Sequence, residues 1–147
     1  MGKETHMTDT TKPSGVVKGS RWVLAALTLL FLLGAFGQFF LVGLSYFDDP
    51  SRWKDHENLG HILGMLPWAI WIPAVLGKAG RGVIIASVLL FVAFEAQYAF
   101  IEAGDGFVHA FHPLNGAVLL ILGGWLFQQA FGLLRKPASA TSPEGTA

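Results

Sequence analysis

The chain has 147 residues, of which 52% are hydrophobic and 14% are charged, whereas soluble domains carry about 25% charged residues. A formal net charge of zero gives no basic surface for a nucleic-acid partner. The chain has no cysteine, which excludes disulfides, thiolate metal sites and iron–sulfur ligation. This composition is typical of a single integral membrane domain.

Long apolar segments define the predicted fold. A helix needs about 20 apolar residues to cross a bilayer, and the sequence holds four such segments separated by short polar connections. We therefore predict an all-α, up-and-down bundle of four transmembrane helices. The predicted spans cover residues 22–44, 59–76, 82–103 and 111–134.

The segments outside the spans are polar. Residues 1–20 and 136–147 lack apolar runs and are predicted to be disordered tails around a transmembrane domain of residues 21–135. The second span is short, but Asp49 followed by Pro50 is a favourable start for a helix. We expect that helix to begin before the membrane, and we expect Pro67 and Pro73 to kink it.

Basic residues predict the orientation. Arg52 and Lys54 lie in the first connection, beside several acidic residues. The other eight basic residues lie on the opposite side: Lys3, Lys12, Lys18, Arg21, Lys78, Arg81, Arg135 and Lys136. Cytoplasmic segments of membrane proteins are enriched in Lys and Arg. We therefore predict a multi-pass protein of the inner cell membrane with both termini in the cytoplasm.

Polar residues of the spans collect in one layer near the outer surface. Gln38, His56, Gln97, His112 and Asn115 come from all four helices. The first four lie on helical stripes that also carry small residues, which are typical of inward faces in membrane bundles. Ionisable groups inside a membrane indicate a function, so we interpret this layer as a candidate binding site.

The histidines of this layer suggest a haem. His56 and His112 lie on different helices at similar depth, as axial ligands of haem b in a four-helix bundle would. Arg52 and Lys54 are candidates for holding the haem propionates. This hypothesis describes a redox or haem-handling protein that exchanges electrons or haem at the outer leaflet, with quinol or another membrane redox protein as its partner.

Two alternatives stay open. The first is a cofactor-free scaffold or accessory subunit. The second is a zinc or copper site at the outer surface, formed by His109, His112, Asp105 and Glu57. His61 lies about 140° around the helix from His56 and is expected to face elsewhere, and His109 is expected at the rim. Whether the protein is an enzyme is left open.

Four short motifs carry a resemblance to known proteins. The segments FGQFFLVGLSYF, DHENLGH, EAQYAF and FHPLNGA resemble an uncharacterised family of small bacterial four-helix membrane proteins, a domain of unknown function. The resemblance covers about residues 22–134, and Glu57 stands where this family often has arginine. The placement of the two histidines is also similar to that in cytochrome-b-type proteins and in each half of haem A synthase. The motif residues are Gln38, His56, Leu59, Gly60, Gln97, His112, Asn115 and Gly116.

The predicted orientation is testable with a reporter fused after Ala147. Because eight basic residues lie on one side, we expect a fused green fluorescent protein to fluoresce and a fused alkaline phosphatase to be inactive. Phosphatase activity outside the inner membrane would contradict the assignment and place the polar layer at the cytoplasmic side.

Overall fold

The computed structural model describes residues 13–103 and 106–135. In this part of the chain the structure is helical, which confirms the predicted fold class. The elements are α1 (Gly15–Phe47), a 3-10 turn (Pro50–Arg52), α2 (Trp53–Leu76), α3 (Arg81–Glu102), the short α4 (Gly106–His109) and α5 (Phe111–Arg135).

Side chains cap the helices where the sequence offers a cap. Ser14 accepts a hydrogen bond from the backbone N–H of Val17, so α1 begins at Gly15, earlier than predicted. Residues 15–20 are thus helical, whereas the remaining predicted tails, 1–12 and 136–147, lie outside the described residues.

The start of the second helix follows the prediction. The Asp49 carboxylate accepts hydrogen bonds from the backbone N–H and the hydroxyl of Ser51, at 2.9 and 2.8 Å. The backbone N–H is the main reason why the pKa of the Asp49 carboxyl lies below its ordinary value. Pro50 opens the 3-10 turn, which leads directly into α2. Pro67 and Pro73 lie inside α2.

The four long helices form an antiparallel ring. α1 packs against α2 and α5, and α3 packs against the same two helices. Consequently α1 lies diagonally opposite α3, and α2 lies diagonally opposite α5. The ring of Phe31 on α1 meets that of Phe94 on α3 across the centre, with 6.1 Å between their centroids. This diagonal arrangement brings α2 and α5 to face each other across the core.

The outer surface of the bundle is apolar. Each helix exposes large hydrophobic side chains, among them Phe40 (66% exposed), Met65 (71%), Val92 (55%) and Ile121 (75%). All four helices are long and apolar enough to cross a membrane. Such a surface is stable in contact with lipid, so the protein is a multi-pass membrane protein whose environment is a lipid bilayer.

Glycines allow the helices to approach closely at two points. A Cβ atom at Gly34 would collide with the side chain of Leu63, and one at Gly123 would lie 3.0 Å from the ring of Phe31. Leu63 and Phe31 are both buried. Small residues at these positions therefore allow the large ones to fill the centre.

Gly34→Ala is expected to lower the free energy of unfolding by about 1–3 kcal/mol, because the added methyl displaces Leu63 from a packed core. Gly43→Ala is the matched control on the same helix, since a Cβ atom there meets nothing within 4 Å. Unfolding in mixed micelles measures both. Equal stabilities for the two variants would show that the close approach at Gly34 is unimportant.

Candidate functional site

Two histidines face each other across the bundle near one end. His56 lies in the first turn of α2 and His112 in the first turn of α5. Their ring centroids are 6.2 Å apart, with an angle of 68° between the ring planes. The indole of Trp53 packs against the His56 ring, with 4.9 Å between the centroids. The structure thus brings together the two residues that the sequence singled out.

Each ring is oriented by a backbone carbonyl of a neighbouring helix. Nδ1 of His56 lies 3.4 Å from the carbonyl oxygen of Gln38, and Nδ1 of His112 lies 3.2 Å from that of Gln97. A carbonyl oxygen only accepts, so the nitrogen that faces it carries the proton. The lone pair then lies on Nε2 of each ring. This is the usual arrangement of histidines that bind a metal, whose second nitrogen donates to a carbonyl or carboxylate.

In the same layer, the side-chain amides of Asn115 and Gln97 are hydrogen-bonded to each other, whereas the amide oxygen of Gln38 has no partner. Asn115 donates from Nδ2 to the carbonyl of Ala93 at 2.7 Å and to Oε1 of Gln97 at 2.9 Å. Among the described residues, Oε1 of Gln38 is the buried side-chain oxygen or nitrogen without a hydrogen-bond partner. Buried polar groups of this kind require an explanation, and an absent ligand or water is one.

A cavity of about 390 Å³ lies beside the two histidines. Its volume is in the range of small-molecule sites, about 300–1,000 Å³. Its walls come from all four long helices and are mainly apolar. Its lining includes Gln38, Trp53, His56, Glu57, Gly60, His61, Gln97, Tyr98, Glu102, His112 and Gly116.

The predicted propionate partners are engaged elsewhere in the structure. Arg52 forms an ion pair with Asp55 at 3.2 Å, and Lys54 forms one with Glu57 at 2.8 Å. All four side chains are substantially exposed, and neither base lines the cavity. Exposed ion pairs are worth only about 0–1 kcal/mol, so these bases exchange partners easily, and their role with a propionate stays a prediction.

The remaining histidines differ in their relation to the cavity. His61 was expected to face elsewhere, but its ring lines the cavity and stacks on Tyr98, with 6.0 Å between the centroids. The expectation was wrong because helical angle alone ignores the reach of the side chain and the position of α3. Exposed His109 binds the carbonyl of Ile101 at 2.9 Å through Nε2. It does not line the cavity.

The alternative zinc or copper site gains no support within residues 13–103 and 106–135. No group of three or more His, Cys, Asp or Glu side chains there is placed to hold a metal ion. Of the four candidates for that site, Asp105 lies outside the described residues.

Asn115→Leu removes the donor shared by Ala93 and Gln97 and is expected to lower the free energy of unfolding by about 1 kcal/mol. Exposed Asn58 on α2 provides the control, since Asn58→Leu should leave stability unchanged. Unfolding in mixed micelles separates the two. An unchanged stability of Asn115→Leu would mean that the amide pair contributes nothing to the fold.

Comparison with known proteins gives a match to a family model over part of the chain. No curated protein and no solved structure matches the chain. The matched family is described only as one of unknown function, and the match covers residues 38–104. It therefore includes Gln38, His56, Gly60 and Gln97 but ends before His112. It agrees with the resemblance to a domain of unknown function, and gives no support to the resemblance to cytochrome-b-type proteins. Residues 38–104 of this chain are thus similar to DUF6220, a family of unknown function.

Proposed function

We propose that the protein binds one haem b between His56 and His112 and acts as a redox or haem-handling protein at the outer leaflet. The observation that supports this most is the paired orientation of the two rings. Both turn Nδ1 to a carbonyl of the adjacent helix and keep the lone pair on Nε2. Neutral imidazoles with free Nε2 atoms are the donors that a low-spin haem iron requires.

The separation of the rings fits one metal ion between them. Metal–imidazole bonds are about 2 Å long, so His56 and His112 could hold one metal ion together only where their rings lie close to each other. The observed separation is 6.2 Å. Gly60 and Gly116, one helical turn after each histidine, both line the cavity.

The protein's own groups perform three tasks in this proposal. His56 and His112 hold the iron, and the carbonyls of Gln38 and Gln97 hold the histidines. The apolar walls of the cavity exclude water. A haem held in this way supplies one-electron redox chemistry. The predicted propionate partners are Arg52 and Lys54.

The distribution of ligand residues limits the proposal to one haem per chain. The four spans contain histidine only near their outer ends, Met65 is the one methionine within them, and cysteine is absent. A second haem near the cytoplasmic side would therefore lack the usual axial ligands. Both termini would lie in the cytoplasm. Exchange of electrons or haem with quinol or another membrane redox protein would then take place on the outer side of the inner membrane.

Replacement of individual histidines tests the site. His56→Ala and His112→Ala are each expected to abolish the low-spin absorption spectrum of the purified protein, because each removes an axial ligand. His109→Ala is the control, since this exposed residue lies outside the cavity lining. His61→Ala should also keep the spectrum, because the His61 ring stacks on Tyr98 and His61 is not one of the two proposed ligands.

The outcome separates this proposal from its alternatives. A purified protein that is colourless and does not take up added haem would favour the cofactor-free scaffold. Loss of the spectrum only in the His61 and His109 variants would show that the wrong pair was chosen. The pyridine haemochrome assay should give one haem per chain. A value near two, with a centre that survives loss of both His56 and His112, would overturn the limit of one haem.

A further inference from the structure

One face of the bundle, formed by α2 and α3, has polar side chains near its outer end and an apolar groove deeper in the membrane. His61 and Tyr98 stack there, with 6.0 Å between their ring centroids and 14° between their planes. Seven residues further into the membrane on each helix, Trp68 and Phe91 pack with their centroids 4.3 Å apart. Because seven residues are close to two helical turns, the second pair lies on the same stripe, about 10 Å deeper.

The deeper part of this face is an apolar groove. It has a volume of about 230 Å³ and is lined by Pro67, Trp68, Trp71, Val88 and Phe91. Trp68 is 63% exposed and Trp71 is 47% exposed, so the groove opens on the surface that faces the lipid. Such a groove accommodates a flexible hydrocarbon chain.

The ring nitrogens of His61 are available to a molecule from outside the protein. Backbone carbonyls face the rings of His56, His109 and His112. Within the described part of the chain, His61 makes a ring contact with Tyr98 but no hydrogen bond. His61 also lines the cavity between the proposed haem ligands and is exposed on the outside of the bundle. A ligand from the lipid can therefore bind its imidazole next to the haem site.

The charges along this face indicate which head group it accepts. Between residues 55 and 77 and between residues 82 and 103 the sequence has no lysine or arginine. Glu95 and Glu102 lie about one turn to either side of Tyr98, are exposed and form no ion pair within the described residues. Lys54, just before the first range, is paired with Glu57. An anionic phosphate head group would meet like charges here, whereas a neutral donor of hydrogen bonds meets acceptors.

We infer that this face binds a quinol with an isoprenoid tail, whose head donates a hydroxyl hydrogen bond to His61 and whose tail lies in the groove at Trp68. The inference rests on the haem proposed above and identifies the molecule that reduces it. A quinol head donates hydrogen bonds without carrying a charge. Its tail is attached directly to the ring and covers the distance of about 10 Å to the groove.

The electrons and protons of this reaction balance as follows from its chemistry. Oxidation of one quinol to the quinone breaks two O–H bonds and releases two protons and two electrons. Each electron reduces one ferric haem, so one quinol reduces the haems of two chains, or that of one chain twice when the membrane redox partner removes the first electron. Both protons go to the outer water, the first through the neutral imidazole of His61.

The test measures binding and needs no haem. The full-length protein in lipid nanodiscs is titrated with decylhydroquinone and with its dimethyl ether, which has the same ring and tail but no hydroxyl proton. After correction for partition into empty nanodiscs, we expect wild type to bind the hydroquinone about three- to tenfold more tightly, the effect of one neutral hydrogen bond. Calorimetry gives both dissociation constants, and their ratio within one variant cancels effects on folding.

Two variants separate the head of the ligand from its tail. His61→Phe keeps an aromatic ring against Tyr98 but removes the acceptor, so the ratio of the two dissociation constants should fall to about one. Trp68→Ala removes a wall of the groove, so both compounds should bind about threefold more weakly with an unchanged ratio, because mobile lipid packs against the tail less closely than an indole does.

Each variant has a matched control. His109→Phe makes the first exchange at an exposed histidine outside the cavity lining. Trp125→Ala makes the second at a tryptophan of α5 that is 40% exposed and lines neither the cavity nor the groove. Both controls should bind the two compounds as wild type does.

The protein loaded with haem supplies a second measurement. Reduction of the haem by decylhydroquinone, followed by stopped-flow absorption, should be about tenfold slower in His61→Phe than in wild type, the effect of losing about 1.4 kcal/mol of interaction. The low-spin spectrum itself should not change, since His61 is not a proposed ligand. An equal rate in both proteins would contradict a role for His61 in this reaction.

The outcomes distinguish the quinol site from the haem proposal. Equal binding of the hydroquinone and its ether by wild type, with an intact low-spin spectrum, would overturn the quinol site and leave the haem standing. A preference that persists in His61→Phe would exclude His61 as the acceptor and overturn the inference. A protein that prefers the hydroquinone but binds no haem would overturn the proposed haem and support the binding site alone.

Discussion

Polar groups inside a bilayer find no water, and they must be paired by the protein itself or by something that the protein binds. The site near one end of this bundle follows from that requirement. His56 and His112 use one nitrogen each on a carbonyl of the neighbouring helix. Asn115 completes the amide of Gln97. The groups left over are the Nε2 atoms of the two rings and the amide oxygen of Gln38, and they all belong to residues that line one cavity.

The close approach of the helices is what makes this pairing possible. A side chain of one helix can reach a backbone carbonyl of the neighbouring helix only where the two helices lie close together. Gly34 allows α1 to approach α2, and Gly123 allows α5 to approach the Phe31 ring of α1. The same histidine–carbonyl contact is formed twice, by His56 with Gln38 and by His112 with Gln97. Two such contacts on diagonal helices turn the rings towards each other across the core.

Much of the fold was predictable because it depends on local or one-dimensional properties. The four spans follow from the length of the apolar segments, and the start of the second helix follows from Asp49 and Pro50. The candidate pair His56 and His112 was predictable because helical periodicity gives the inward face and position in the span gives the depth. The place of His61 in the cavity lining was not predictable, since its stacking on Tyr98 depends on where α3 lies.

By itself the sequence determined the fold class, the inward stripes and the depth of the polar layer, since these depend on hydrophobic length and on the period of a helix. Only the tertiary structure decided which polar groups are paired. The contacts of Gln97 with Asn115 and of His56 with the Gln38 carbonyl join residues distant in sequence. The unpaired oxygen of Gln38 is likewise invisible in the sequence, because a hydrogen bond requires a distance and an angle that only the packing of neighbouring helices sets.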